Sequence, residues 1–321
     1  MTTEIGHDKK VVKNIGAAQI KDDLDFFVVI KSRNHRQDNQ GNLKLLNYHF
    51  FAEIFVSAGK RIDNAKIFVG GLESNPLIFR PHSDDVLGDN AWYLEGGWYA
   101  SEKDLDKAFP SGEYIFDITS PYGRIRDGVL DFSRVGQKNE IPDPVVINLS
   151  QDGSFVAPNR LEADADVTVT WGDYRVGCAD PRAIIDDQVF VVVADCFGNR
   201  IVKSGLSFEQ SCLTFRDKDY VIPAGTLLPG CNYSMFVELP HVADSTVRDG
   251  VAGFASFATA TYLQLQTLGK KSGIPCPKKP IALDTGETDV FAPSLRDEHK
   301  QIKNVTRQIL SLIAEDALRS P

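Results

Sequence analysis

Arg80-Pro81-His82-Ser83-Asp84-Asp85 brings a guanidinium, an imidazole and two carboxylates within six residues. An imidazole beside an aspartate can take up and return a proton, and neighbouring carboxylates can hold a divalent ion. Arg80, His82, Asp84 and Asp85 are therefore the candidate catalytic set, expected on a loop at a strand end. The same residues also suit an ordinary turn, since Ser and Asp side chains bond back to nearby backbone. Trp92-Tyr93-Leu94-Glu95-Gly96-Gly97-Trp98-Tyr99 is the segment densest in large aromatic residues. Strand alternation puts Trp92, Leu94 and Trp98 on one face and Tyr93 and Tyr99 on the other, unless Gly96-Gly97 inserts a bulge. One face fills a core, and the other is suited to stacking on a sugar ring or another planar ligand. Trp92, Tyr93, Trp98 and Tyr99 are the candidate ligand-binding residues.

Other polar clusters read as structural. Asp164-Ala165-Asp166 and Asp186-Asp187 stand at strand entries, where they suit solvated turns. Calcium needs six to eight oxygen ligands, and only two or three are in local view. The five cysteines, Cys178, Cys196, Cys212, Cys231 and Cys276, form no CxxC pair, and none has a histidine at ligand spacing, so no metal site and no cofactor is expected. Without a secretion signal, all five are expected to be reduced thiols. The six histidines are scattered, and His49 is expected to be packed or half-exposed within a strand. The chain contains no Gly-x-Ser-x-Gly elbow, phosphate-binding glycine loop or His-Glu-x-x-His.

A formal net charge of −9 and a pI near 5.2 over 321 residues oppose binding to nucleic acid, whose phosphates demand cationic surface. The N-terminal residues Met1–Lys10 lack an apolar core segment, and no later run reaches the roughly 20 apolar residues of a membrane helix. A cytoplasmic, non-membrane protein is expected from the chain as it stands, or an extracellular one if the sequence has been trimmed.

The elements around these residues are short and alternate with period two. Asp25–Ile30, Leu45–Val56, Ala65–Val69, Trp92–Tyr99, Glu113–Ile118 and Val129–Phe132 are β-branched or aromatic runs separated by Gly, Pro, Asn and Asp. Ser101 and Asp104 cap a short helix through Ala108. Polar residues and two prolines at Gly136–Pro144 suggest a boundary. Beyond it Val145–Ile147, Val167–Trp171, Val189–Val193 and Phe254–Gln266 form a second β pattern, with Trp171 as a core aromatic. Lys270–Pro280 reads as a linker. Ile302, Val305, Ile309, Leu312 and Ile313 then form the apolar stripe of a C-terminal helix, which must dock on its own chain or pair with another.

Leu227-Leu228-Pro229-Gly230-Cys231-Asn232-Tyr233 predicts a tight turn and a buried tyrosine at a strand start. This order resembles the tyrosine corner of fibronectin type III modules, which implies a β-sandwich over about residues 145–268. Leu105–Phe116, the Trp171 strand, Asp195–Asn199, Ile222–Leu227 and Gly250–Phe257 together are similar to a group of uncharacterised bacterial two-domain β proteins, across roughly residues 50–268. Those relatives usually begin with a secretion signal and bring no known activity.

The expectation is an all-β protein of two antiparallel β-sandwich domains, the second fibronectin type III or immunoglobulin-like, plus a C-terminal helix. Its parts are a tail at 1–22, sandwiches at 23–140 and 141–268, a linker at 269–292 and a helix at 293–321. A non-catalytic interaction or structural protein is the leading function, with a protein, small molecule or glycan as partner and homo-oligomerisation through the helix as a further route. The alternative is a cyclase, isomerase or lyase acting on a small molecule or glycan in a cleft lined by His82, Asp84, Trp92 and Trp98.

Overall fold

The computed structural model describes residues 19–71, 73–84, 88–133 and 140–270, and there the alternating runs become strands. A 3-10 turn at Ile20–Asp22 leads into β1 (Leu24–Gln37) and β2 (Leu43–Val56). Next come β3 (Asn64–Val69), β4 (Leu77–Ile78), β5 (Arg80–Asp84), β6 (Gly88–Tyr99), helix α1 (Glu102–Ala108), β7 (Glu113–Ser120) and β8 (Gly123–Asp131). The second half adds β9 (Ile147–Gln151), β10 (Ser154–Phe155), β11 (Val167–Trp171), β12 (Gln188–Ala194), β13 (Arg200–Lys203), β14 (Leu213–Thr214) and β15 (Asp219–Ile222). It closes with a long hairpin, β16 (Asn232–Arg248) and β17 (Val251–Gln266). The tail through residue 18, Asp85, the linker from residue 271 and the expected helix at 293–321, with any pairing through it, lie outside the described residues.

A nine-stranded sheet runs β13-β12-β16-β17-β1-β2-β6-β5, with β14 pairing to β12, and two four-stranded sheets run β4-β3-β7-β8 and β10-β9-β11-β15. The large sheet takes β1, β2, β5 and β6 from before position 140 and the other strands from after it. Its join is a parallel pairing of β1 with β17, in register from Phe26 opposite Ala252 to Gln37 opposite Leu263. This corrects the expectation of antiparallel sheets alone. A parallel pair needs a crossover, and here the crossover is most of the chain.

Period two explains how one sheet serves two cores. On β17 the odd residues Val251, Ala255 and Phe257 enter a core with Phe27, Phe50, Ile67, Tyr114, Phe116 and Leu130. Further along the same face, Leu263 and Leu265 enter a second core with Val169, Trp171, Val191, Ile222 and Tyr233. Both small sheets therefore cover the same face of the large one. The even residues Phe254 and Ala258 point the other way, into a third cluster with Phe26, Val28, Phe55 and Ile185.

The segment 140–147 crosses between the two cores over polar residues of the large sheet. Its backbone bonds are made by side chains. Arg33 donates to the Pro142 carbonyl at 2.9 Å and Thr261 to that of Val145 at 2.9 Å. Gln37 both donates to the Ile147 carbonyl and accepts from the Ile147 amide, each at 2.7 Å. These side chains complete the backbone hydrogen bonding that a buried connection requires.

The tyrosine corner is formed. The Tyr233 hydroxyl, on a side chain 4% exposed, accepts from the Leu228 amide at 2.6 Å and donates to the Leu228 carbonyl at 3.4 Å. A second corner stands in the first half, where the fully buried Tyr114 donates to the Pro110 carbonyl at 2.8 Å. Tyr233→Phe removes only the hydroxyl and its bonds to Leu228, which is itself exposed, so a loss of about 0.5–1.5 kcal/mol is expected in denaturant unfolding. An unchanged midpoint would mean that the corner contributes nothing.

Helix α1 is capped as expected: the Ser101 hydroxyl accepts from the Asp104 amide at 3.2 Å and donates to the Asp104 carboxylate at 2.6 Å. The expectation of five reduced thiols is corrected. Cys178, Cys212 and Cys231 are free, but Cys196 is disulfide-bonded. Among the described residues, no helix is long and apolar enough to cross a membrane.

Candidate functional site

The candidate residues lie at the β2-β6-β5 edge of the large sheet. Tyr48, Phe50, Ala52 and Ile54 of β2 face the first core, so their partners on β6 divide by the same alternation. Trp92 and Leu94 face inward and Tyr93 and Glu95 outward. The register then slips: Phe51 is opposite Glu95 whereas Phe50 is opposite Gly97, which leaves Gly96 as an extra residue.

Only glycine fits there, because a Cβ on Gly96 would lie 2.2 Å from Phe50 Cδ1 and 2.9 Å from both Phe109 Cζ and the Phe50 carbonyl oxygen. Gly97 takes a φ of 100°, a conformation favouring glycine. The bulge reverses the later alternation. Trp98 points outward with Tyr93, and Tyr99 turns to the core face with Trp92. This corrects the face assignment, which had Trp92 with Trp98.

The outward side chains form a run of rings. Trp98 stacks on His49 at 3.6 Å and 11°, His49 lies 4.9 Å from Phe51, Phe51 lies 5.9 Å from Tyr93, and Tyr93 lies 5.3 Å from His82. Trp98, Phe51, Tyr93 and His82 are half-buried, whereas His49 is buried beneath its neighbours. The Glu95 carboxylate anchors one end. It pairs with His49 Nε2 at 2.8 Å and accepts from the Gly97 amide at 2.7 Å and the Tyr93 hydroxyl at 3.2 Å. Burial pushes the Glu95 carboxyl up, but His49, the Gly97 amide and the Tyr93 hydroxyl together hold it below its ordinary value. Arg80, exposed, stands opposite Tyr93 in the β5-β6 register. The outer face thus carries a stack of half-buried rings beside a carboxylate and a guanidinium.

The segment carrying Arg80, His82 and Asp84 is the edge strand β5, not a loop; Arg80 pairs with Tyr93 and Asp84 with Gly88. His82 joins the aromatic run. Trp92 and Trp98 face opposite sides of the sheet and so do not line one cleft with His82 and Asp84. His49, Phe51 and Glu95 belong to the site, although their types alone did not single them out. Among the acidic pairs, Asp166 accepts from the Ala224 amide at 2.8 Å, as a turn residue does. Asp187, expected in a solvated turn, is 1% exposed.

No family model matches this sequence, and no curated protein matches it. Solved structures similar to part of it include a "Biofilm associated protein - BSP domain", 13% identical, with a TM-score of 0.19, covering 76% of this chain and 30% of that one. The FN1–FN3 domains of chicken CNTN1 are 15% identical with a TM-score of 0.21, covering 70% of this chain and 64% of that one. The glycoside hydrolase family 61 member Cel61B from Hypocrea jecorina is 11% identical with a TM-score of 0.23, covering 68% and 86%. The chain spans about a third of the biofilm structure and just under two thirds of the chicken one.

Proposed function

We propose that this protein is a non-catalytic binding protein whose outer β2-β6-β5 face takes a flat, hydroxyl-bearing ligand, a sugar ring of a glycan. The observation that carries this reading is the outward ring run of Trp98, Phe51 and Tyr93 beside Glu95 and Arg80. A sugar presents an apolar C–H face to an aromatic ring and hydroxyls at its rim, which a carboxylate and a guanidinium can bond. The strands hold the rings in place, so little ordering remains to be done on binding. The disulfide at Cys196 supports an oxidising compartment, where free glycans are met.

Trp98→Ala is expected to weaken binding roughly tenfold or more, a hot-spot loss of about 1–3 kcal/mol, with the melting temperature little changed. The measurement is affinity electrophoresis or calorimetry of the full chain against soluble β-glucan, xylan, mannan and chitin oligosaccharides. Failure of the wild-type chain to bind any of them, or equal binding by Trp98→Ala, would overturn the reading.

A further inference from the structure

Away from the aromatic face, the start of β12 meets β16 at a polar cluster. Asp187 precedes β12 by one residue. Phe190 pairs with Glu238 in the antiparallel register, so Asp187 comes opposite His241. His241 Nδ1 and Asp187 Oδ2 are 2.7 Å apart, with the side chains 3% and 1% exposed. Asp187 also accepts from the Val242 amide at 2.7 Å and the Cys178 amide at 2.9 Å, which fixes the carboxylate in place. The Cys178 thiol completes the group: one ligand atom each from Cys178, Asp187 and His241 lies within 4.8 Å of the others.

We propose that Cys178, Asp187 and His241 form a zinc site with an open fourth position. Thiolate, imidazole and carboxylate are zinc ligands, and in a tetrahedral shell with bonds of about 2.0–2.3 Å the ligand atoms lie closer than 4 Å, so small side-chain shifts suffice. Without metal, an aspartate bonded to histidine and two amides is already well satisfied, but that account leaves one group unexplained. The hydroxyl of Tyr174, a residue 6% exposed, has no hydrogen-bond partner. A buried hydroxyl without a partner is costly. Zinc binding releases the Cys178 proton to solvent and leaves the metal bound to the thiolate, with no change in oxidation state.

The test uses the full chain stripped with EDTA and titrated with Zn2+ and, as a spectroscopic probe, Co2+. One equivalent is expected to bind, with a thiolate-to-cobalt charge-transfer band in the near ultraviolet and the d–d intensity of a tetrahedral site. Cys178 is at the surface, so Cys178→Ser should fold normally while losing the charge-transfer band and at least tenfold in zinc affinity. His241→Gln should also lose affinity, and Cys212→Ser should keep both band and affinity. Absence of binding by the wild-type chain, or equal binding and an unchanged band in Cys178→Ser, would overturn the proposal whether or not His241→Gln folds.

Discussion

Asp106→Ala is expected to lower stability by about 3 kcal/mol, far more than loss of a half-exposed carboxylate ordinarily costs. The reason lies in its partner. Lys31 is on β1 with its side chain 1% exposed, its Nζ 2.8 Å from Asp106 Oδ1 and 5.3 Å from the Phe132 ring centre. Burial holds the Lys31 ammonium below its ordinary pKa even though Asp106 favours the charged form. Removing Asp106 leaves a buried charge without its anion, and solvent reaching the helix side keeps the loss at the lower end of the range for broken buried pairs.

Lys31→Met removes the charge along with the need for a partner, so alone it should change stability by no more than about 1.5 kcal/mol. In that background Asp106→Ala should cost little. Urea unfolding of the four proteins measures the coupling, and additive losses would show that the pair is not acting as one unit. Its pH dependence has a definite sign. Between the lowered folded pKa of Lys31 and its unfolded value of 10.5, the unfolded chain binds more protons, so stability attributable to this residue rises with pH. Asp106→Ala lowers the folded pKa further and should extend that rise to lower pH.

Gly96→Ala is expected to cost about 3 kcal/mol and to abolish the glycan binding proposed for the aromatic face. The added methyl would enter a space held by the Phe50 and Phe109 rings, which stack at 3.7 Å and 7°, and by the Phe50 carbonyl. Two locked rings and a backbone atom cannot all move aside cheaply, and overpacking of this kind costs about 1–3 kcal/mol or more. The shift would fall on the bulge that turns Trp98 outward. Thermal unfolding together with quenching of tryptophan fluorescence by acrylamide would detect both effects. A variant with wild-type melting and wild-type glycan affinity would show that the bulge does not set the site.

The class of the protein was legible in local pattern. Period-two runs between turn residues specified strands, Ser101 and Asp104 specified the cap of α1, and Pro229-Gly230 before Tyr233 specified a corner. Each depends on residues a few positions apart, where backbone geometry leaves few choices. The Tyr114 corner carries the related order Pro110-Ser111-Gly112-Glu113-Tyr114 and was within reach of the same reasoning. The candidate site was half legible: Tyr93, Trp98 and His82 stand in segments notable by composition, but their faces depended on whether Gly96-Gly97 made a bulge.

By itself, the sequence determined an all-β chain, its turns and the position of its densest aromatic segment. The tertiary structure alone decided that β1 and β17 join in parallel, so that one sheet backs both cores. It also decided that Trp98 shares a face with Tyr93 rather than Trp92, and that Cys178, Asp187 and His241 meet. These outcomes arise from pairings between distant residues, whose register is selected by which side chains can be buried together; periodicity within a strand specifies alternation but not the neighbour it will meet.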